Sequence, residues 1–219
     1  MPERFLQHVR VERPDPAETA AEARVRLAAK FPRTALRRMT HLGLLAGAAL
    51  DGLALQPEDA VVYATTYAET RALEDYLLSF PTPSPLLFQT SIHPSAVQQV
   101  LIGRQQPIRR FWPMTGRVRL VEAALLAALL EPAPRVVFAG GEERGTWLLE
   151  QAMASDRAFA FAALLTTDPA GAAGAVRFQP DPDMTDNPAP ALDDFAAALT
   201  ERRPLRWRGA GGEWTITWS

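Results

Sequence analysis

Few side chains in this sequence are suited to chemistry, and they are scattered. His8, His41 and His93 are its three histidines, far apart, and there is neither an HExxH run nor an EF-hand loop. No metal site is therefore expected. Ser91 and His93 stand two residues apart. On one strand they would point the same way without facing each other, and no GxSxG elbow is present, so a serine hydrolase is the least favoured reading. Gly140-Gly141 lies between an apolar and a polar run, as a phosphate cradle would, but both GxGxxG and GxxxxGK[ST] are lacking. A tight strand-to-helix turn accounts for these glycines. The pairs Arg37-Arg38, Arg109-Arg110 and Arg202-Arg203 read as solvated charges. Should two pairs share a face, they would receive and steer an acidic partner.

Composition narrows the field further. Of 219 residues, 47% are hydrophobic and 22% charged, enough apolar content for a sizeable core and too much for a disordered chain. Cysteine is absent, which excludes disulfides, thiolate metal sites and a cysteine nucleophile. A net charge of −2 makes no case for nucleic acid as a partner. The apolar run Leu120 to Leu130 is interrupted by Glu122 and is too short for a membrane span. Glu3, Arg4 and His8 near the start leave no apolar signal-peptide core, so a cytoplasmic location is expected.

The elements that must position these residues alternate. Phe5 to Val11 reads as a strand, and Glu18 to Lys30 as an exposed helix or mobile segment. Leu42, Leu45, Ala46, Ala49, Leu50 and Leu53 recur at helical spacing behind a cap at Thr40. Ala60 to Ala64 reads as a buried strand, followed by a capping box from Thr66 to Glu69 and a helix to Leu78. Pro81, Pro83 and Pro85 predict an irregular loop, and Ser95 to Ile102 a helix ending at Gly103. A strand over Ile108 to Trp112, a helix over Val118 to Leu130, a strand over Arg135 to Ala139 and a polar helix over Glu142 to Met153 follow. Ala158 to Leu165 and Ala175 to Phe178 add two strands. Asp181 to Pro190 reads as a linker or lid, before a helix over Ala191 to Thr200 and a terminal hairpin. This order predicts a layered α/β domain with a largely parallel sheet.

Several segments resemble one family. Phe80 to Ile102 is similar to the β-ketoacyl synthase stretch in which a Ser-Pro-aromatic loop precedes an Asn-Met helix. Ile108 to Leu130 resembles the strand, turn and helix that carry the synthase nucleophile. Arg135-Val-Val-Phe-Ala-Gly-Gly-Glu-Glu143 is similar to the strand that follows, and Arg37 to Gly43 and Val61 to Glu69 match the first helix and strand. From about Phe31 to Thr167 the chain resembles the short β-ketoacyl synthase-like N-terminal proteins. These are chain length factors of aryl polyene and related type II polyketide or fatty-acid synthesis.

The resemblance implies half of a thiolase-like fold, with a five-stranded mixed sheet and flanking helices. It implies one truncated domain over 1–219, with 1–35 as an N-terminal extension and 181–219 as a C-terminal helix and hairpin. The synthase cysteine, at the start of its helix, falls on Gly116, and 219 residues leave no room for the half that carries the synthase histidines. A non-catalytic subunit without cofactor or metal is therefore implied. Ser91-Ile-His-Pro-Ser-Ala departs from the Ser-Val-His-Asn-Ala run of the subgroup, and His93 receives no role.

The implied partner is a full-length β-ketoacyl synthase, joined through the strand before the nucleophile, and through it an acyl carrier protein. Interface candidates are Ile108, Arg110, Phe111, Trp112 and Met114. Tyr67, Leu87, Phe88 and Ile92 are candidates for the floor of the partner's acyl tunnel, the alternative being that they are core residues. A homodimeric scaffold that recruits carrier protein through its arginines is the second reading.

Overall fold

The computed structural model describes residues 2–181 and 189–219; the greater part of the expected linker, residues 182–188, lies outside them. The strands are β1 (Glu3–Glu12), β2 (Ala60–Thr65), β3 (Arg110–Thr115), β4 (Arg135–Glu142), β5 (Phe159–Thr166), β6 (Gly174–Pro180), β7 (Leu205–Gly209) and β8 (Gly212–Trp218). Among the described residues they form one sheet of order β3-β2-β4-β5-β1-β6-β8-β7.

The sheet is mixed, as expected, but it has eight strands rather than five and is not largely parallel. Parallel pairing is confined to β2 with β3 and β2 with β4. The other five pairings are antiparallel. The reason is β1, which enters between β5 and β6, antiparallel to both, while the β7–β8 hairpin carries the sheet onward from β6. The first residues thus supply an internal strand instead of an extension.

Alternation along the strands divides the core into two layers. Val61 and Tyr63 of β2 join Val137, Ala139, Ala160 and Ala162 beneath α3 (His41–Ala49) and α6 (Ser95–Gly103). Val62 and Ala64 join Val136, Phe138 and Phe161 beneath α7 (Leu120–Leu130) and α9 (Leu192–Glu201). The continuous apolar run in β2 is explained by this burial on both faces. No helix among the described residues is long and apolar enough to cross a membrane.

Several local expectations are corrected. Glu18 to Lys30 is helical over most of its length and not exposed throughout. A Thr19–Glu22 capping box opens α1 (Ala20–Leu27), which buries Ala23 and Leu27. The proline loop ends in a helix, α5 (Pro85–Ser91), because Pro85 stands at its first turn and Ser84 caps it. Gly140 and Gly141 are no turn but the end of β4. A Cβ on Gly140 would lie 2.6 Å from the Ala64 carbonyl oxygen, so glycine admits the neighbouring strand. The polar helix expected after them shrinks to one turn, α8 (Trp147–Glu150). The remaining helices are α2 (Arg33–Leu36) and α4 (Thr70–Leu78).

Candidate functional site

β3 ends the strand order, so one edge of it is unpaired among the described residues. Two residues expected in this strand, Ile108 and Arg109, precede it, and Ile108 packs half-buried against the α3 layer. Arg110, Trp112 and Met114 share one face of the strand, and Phe111 and Pro113 the other. Proline is tolerated here because an edge strand need not donate on both sides.

Glu131, buried just past α7, organises the first face. Its carboxylate accepts from Arg110 Nη1, from Trp112 Nε1 at 2.9 Å and from the Ala133 amide at 3.2 Å. Burial alone would raise this carboxyl, but the donations from Trp112, Arg110 and Ala133 outweigh it and hold the group below its usual value. Trp112 is thereby fixed in orientation while 47% exposed. Phe111 and Met114 are half-buried against opposite layers.

The four tunnel candidates do not line a single cavity. Tyr67, half-buried after β2, lies under the Arg117 guanidinium at 5.1 Å. Leu87 lines a cavity of about 440 Å³ beneath α1, α3, α4 and α5. Ile92 lines an adjoining groove of about 630 Å³ with Ile102 and with Leu86, which borders both. Phe88 packs against Tyr76 of α4, ring centroids 5.4 Å apart, and Tyr76 in turn meets Phe80. Phe88 and Ile92 are each 49% exposed, so neither is a core residue. With Leu77, Leu78, Phe80 and Leu86 they give α4 and α5 an apolar outer surface.

Gly116 does not sit at a helix start. It lies in the β3–α7 loop, four residues before Leu120, and a Cβ there would meet nothing within 4 Å. The residue capping α7 is Arg119, in the left-handed conformation at φ 55°. Arg119 thus stands at the strand-to-helix junction.

The sequence reading missed a group of buried carboxylates at the ends of β2 and β4. Glu142 accepts from the Thr66 amide and from Thr65 Oγ1 at 3.2 Å. Glu143 accepts from the Leu42 amide at 3.0 Å. Burial pushes both carboxyls up to about 7 against those donations. Glu69, expected in a capping box, instead pairs with His93 and accepts from the Ala96 amide. The expected Ser91–His93 neighbours are not hydrogen-bonded to each other: Ser91 Oγ donates to the Phe88 carbonyl at 2.8 Å. Adjacent glutamates closing a strand were the available signal for this group. Among the described residues no group of three or more such side chains is placed to hold a metal.

No family model and no curated protein matches the chain. Solved structures do. A chain from the complex of a ketosynthase with its chain length factor from Xenorhabdus doucetiae superposes with a TM-score of 0.65 at 18% identity, over 98% of both chains. The ishigamide ketosynthase/chain length factor gives 0.57 at 14% identity, over 91% of this chain and 72% of that one. The chain has a ketosynthase-like, thiolase-type fold. A β-ketoacyl synthase from Burkholderia phymatum adds a TM-score of 0.58 at 10% identity, over 93% of this chain and 70% of its own. At such identities the likeness is one of fold, and at that level it agrees with the resemblance carried by the sequence. Within the ketosynthase-like fold, the strand expected to precede the nucleophile is the edge strand β3.

Proposed function

We propose that the chain is a chain length factor-like subunit that pairs with a full-length β-ketoacyl synthase and forms part of the wall of its partner's acyl tunnel in polyene or polyketide synthesis. The observation that carries this reading is the unpaired edge of β3, with Trp112 exposed beside it and locked by Glu131. A free strand edge is a template for a partner's strand, which would extend both sheets across the interface. Trp112 and Phe111 are the anchors such an interface needs, since large aromatics held in place lose little freedom on binding. Arg110, Ile108 and Met114 flank them.

The role assigned to the chain is steric. Phe88 and Ile92, the two exposed candidates, limit acyl length by occupying volume, which requires no acid, base, metal or cofactor; Tyr67 and Leu87, placed apart from them, are the remaining candidates. With no cysteine in the sequence, condensation falls to the partner, and the carrier protein reaches the pair through the ketosynthase.

Co-expression with a ketosynthase encoded beside the chain, purified through a tag on one of them, tests this. Co-elution that Trp112→Ala weakens, and a longer product from Phe88→Ala, are expected. Failure to co-elute together with an unchanged product length overturns the reading. Self-association with salt-sensitive carrier protein binding would replace it by the homodimeric scaffold.

A further inference from the structure

We propose that the cavity of about 440 Å³ beneath α1, α3, α4 and α5 is a binding site for a small anionic amphiphile, a carboxylate or phosphate monoester on a short apolar chain that ends in a hydroxyl. The inference does not depend on a ketosynthase partner; it places Leu87 in this site in its own right.

Three layers of chemistry follow one another into the cavity. Its exposed rim carries Arg37 and Arg38, which among the described residues make neither a hydrogen bond nor an ion pair through their side chains. Arg24 stands beside them and donates to the Leu36 and Met39 carbonyls, both at 2.6 Å, so its charge meets no carboxylate either. The arginine already matched is Arg71, with Glu74 and Asp75. Arg37 and Arg38 offer uncommitted forks for an oxyanion at that rim, and Arg24, whose own fork is taken up by the two carbonyls, adds charge beside them.

Behind the rim the walls are apolar, made by Met39, Leu44, Ala72, Leu86 and Leu87. At the back the lining turns polar again. Glu143 is 2% exposed, and its Oε2 accepts from the Leu42 amide at 3.0 Å. Among the described residues its Oε1 has no hydrogen-bond partner beyond a contact with the Ala72 amide, and the Nε2 of His41 has none. Buried polar atoms left so are costly and few in folded proteins, and here both line the same cavity. They are matched by a polar group at the inner end of a ligand. The volume is that of an ordinary small-molecule site.

The larger hollow along residues 13–26 differs in that its arginines are answered: Arg13 and Arg26 are paired with Asp193 and with Glu12 and Glu18.

Calorimetric titration of the full chain with ω-hydroxyoctyl phosphate, ω-hydroxyoctanoate, octanediol and inorganic phosphate tests the site. One equivalent of ω-hydroxyoctyl phosphate or ω-hydroxyoctanoate is expected to bind, the tighter of the two naming the head group, with octanediol and inorganic phosphate each at least tenfold weaker. The double variant Arg37→Gln/Arg38→Gln changes exposed side chains that bind nothing else, and should weaken the ligand at least tenfold with thermal unfolding unchanged. Leu87→Trp, which fills the cavity from a half-buried position, should abolish binding. Absence of saturable binding up to millimolar ligand overturns the proposal. So does equal binding of inorganic phosphate, of octanediol, or by the double arginine variant.

Discussion

His93 Nδ1 lies 3.1 Å from Glu69 Oε2, and the imidazole stacks on the Tyr63 ring with centroids 5.3 Å apart. The second oxygen of Glu69 accepts from the Ala96 amide at 3.1 Å. Glu69 stands at the N-cap of α4, yet its carboxylate is turned to the first turn of α6, where it satisfies an amide with no partner inside its own helix. One carboxylate thus fastens α4, α6 and the β2 strand that carries Tyr63.

Glu69→Ala is accordingly expected to destabilise the fold by about 2–4 kcal/mol, because it strands a buried amide and a mostly buried imidazole together. Glu69→Gln keeps an acceptor for Ala96 and should cost about half as much. A cycle with His93→Ala should show a coupling of about 1 kcal/mol. Urea denaturation of the parent, the single variants and the double variant measures this, and a loss below about 0.5 kcal/mol for Glu69→Ala would contradict it.

The carboxyls of Glu142 and Glu143 make stability depend on pH. Burial raises both to about 7 in the folded chain from an ordinary 4.5. Between those values the folded state binds more protons than the unfolded one, so stability falls as pH rises through the window and levels off above it. Each group contributes at most about 3 kcal/mol. His8 and His41, pushed down by burial, act in the opposite sense, with stability lost as pH falls below their ordinary 6.5. Comparison with Glu143→Gln isolates the carboxyl: its urea midpoint should drop less than that of the parent between pH 5 and pH 8. Parallel curves for the two proteins would refute the assignment.

What the sequence disclosed and what it withheld divide along contact range. The apolar run of β2 and the helical spacing in α3 are local: β2 falls within a residue of expectation, and α3 starts at its expected cap but ends at Ala49, four residues before Leu53. The insertion of β1 beside β5 pairs Phe5 with Thr166, and nothing near Phe5 encodes that partner. Thr66 and Glu69 satisfy a capping-box pattern, but Thr66 directly follows β2 and the Glu69 carboxylate is claimed by residues 24 and 27 positions onward. Gly140 read as a turn because glycine permits one; its actual reason, the Ala64 carbonyl, lies on another strand. The order of ketosynthase-like segments was legible, whereas the exposure of Phe88 and Ile92 was not, since an apolar side chain reads as core until its neighbours are known.

Glu131 offers a test at the candidate interface. Glu131→Ala removes the acceptor for Arg110 and Trp112, both of which can turn to water, so the loss should be held to about 2 kcal/mol. The freed indole should then weaken ketosynthase pairing more than that stability loss explains, because an anchor that is no longer fixed must be ordered on binding. Trp112 emission, obtained by difference against Trp112→Phe, should shift to longer wavelength. An unchanged difference spectrum would show that Glu131 does not hold the ring.

Gly116→Cys separates loop from helix start. Space is open around a Cβ there, so the variant should fold with its stability altered by no more than about 0.5 kcal/mol. The chain has no other cysteine, which makes the new thiol the sole site of alkylation. Four residues ahead of α7 it lies beyond the reach of that helix's dipole, whose effect is confined to the first turn. Its alkylation rate should therefore titrate with the ordinary thiol value of about 8.5 and show no activation near neutrality. A titration midpoint below about 7.5 would instead return Gly116 to the activating position that the resemblance to synthases assigns it.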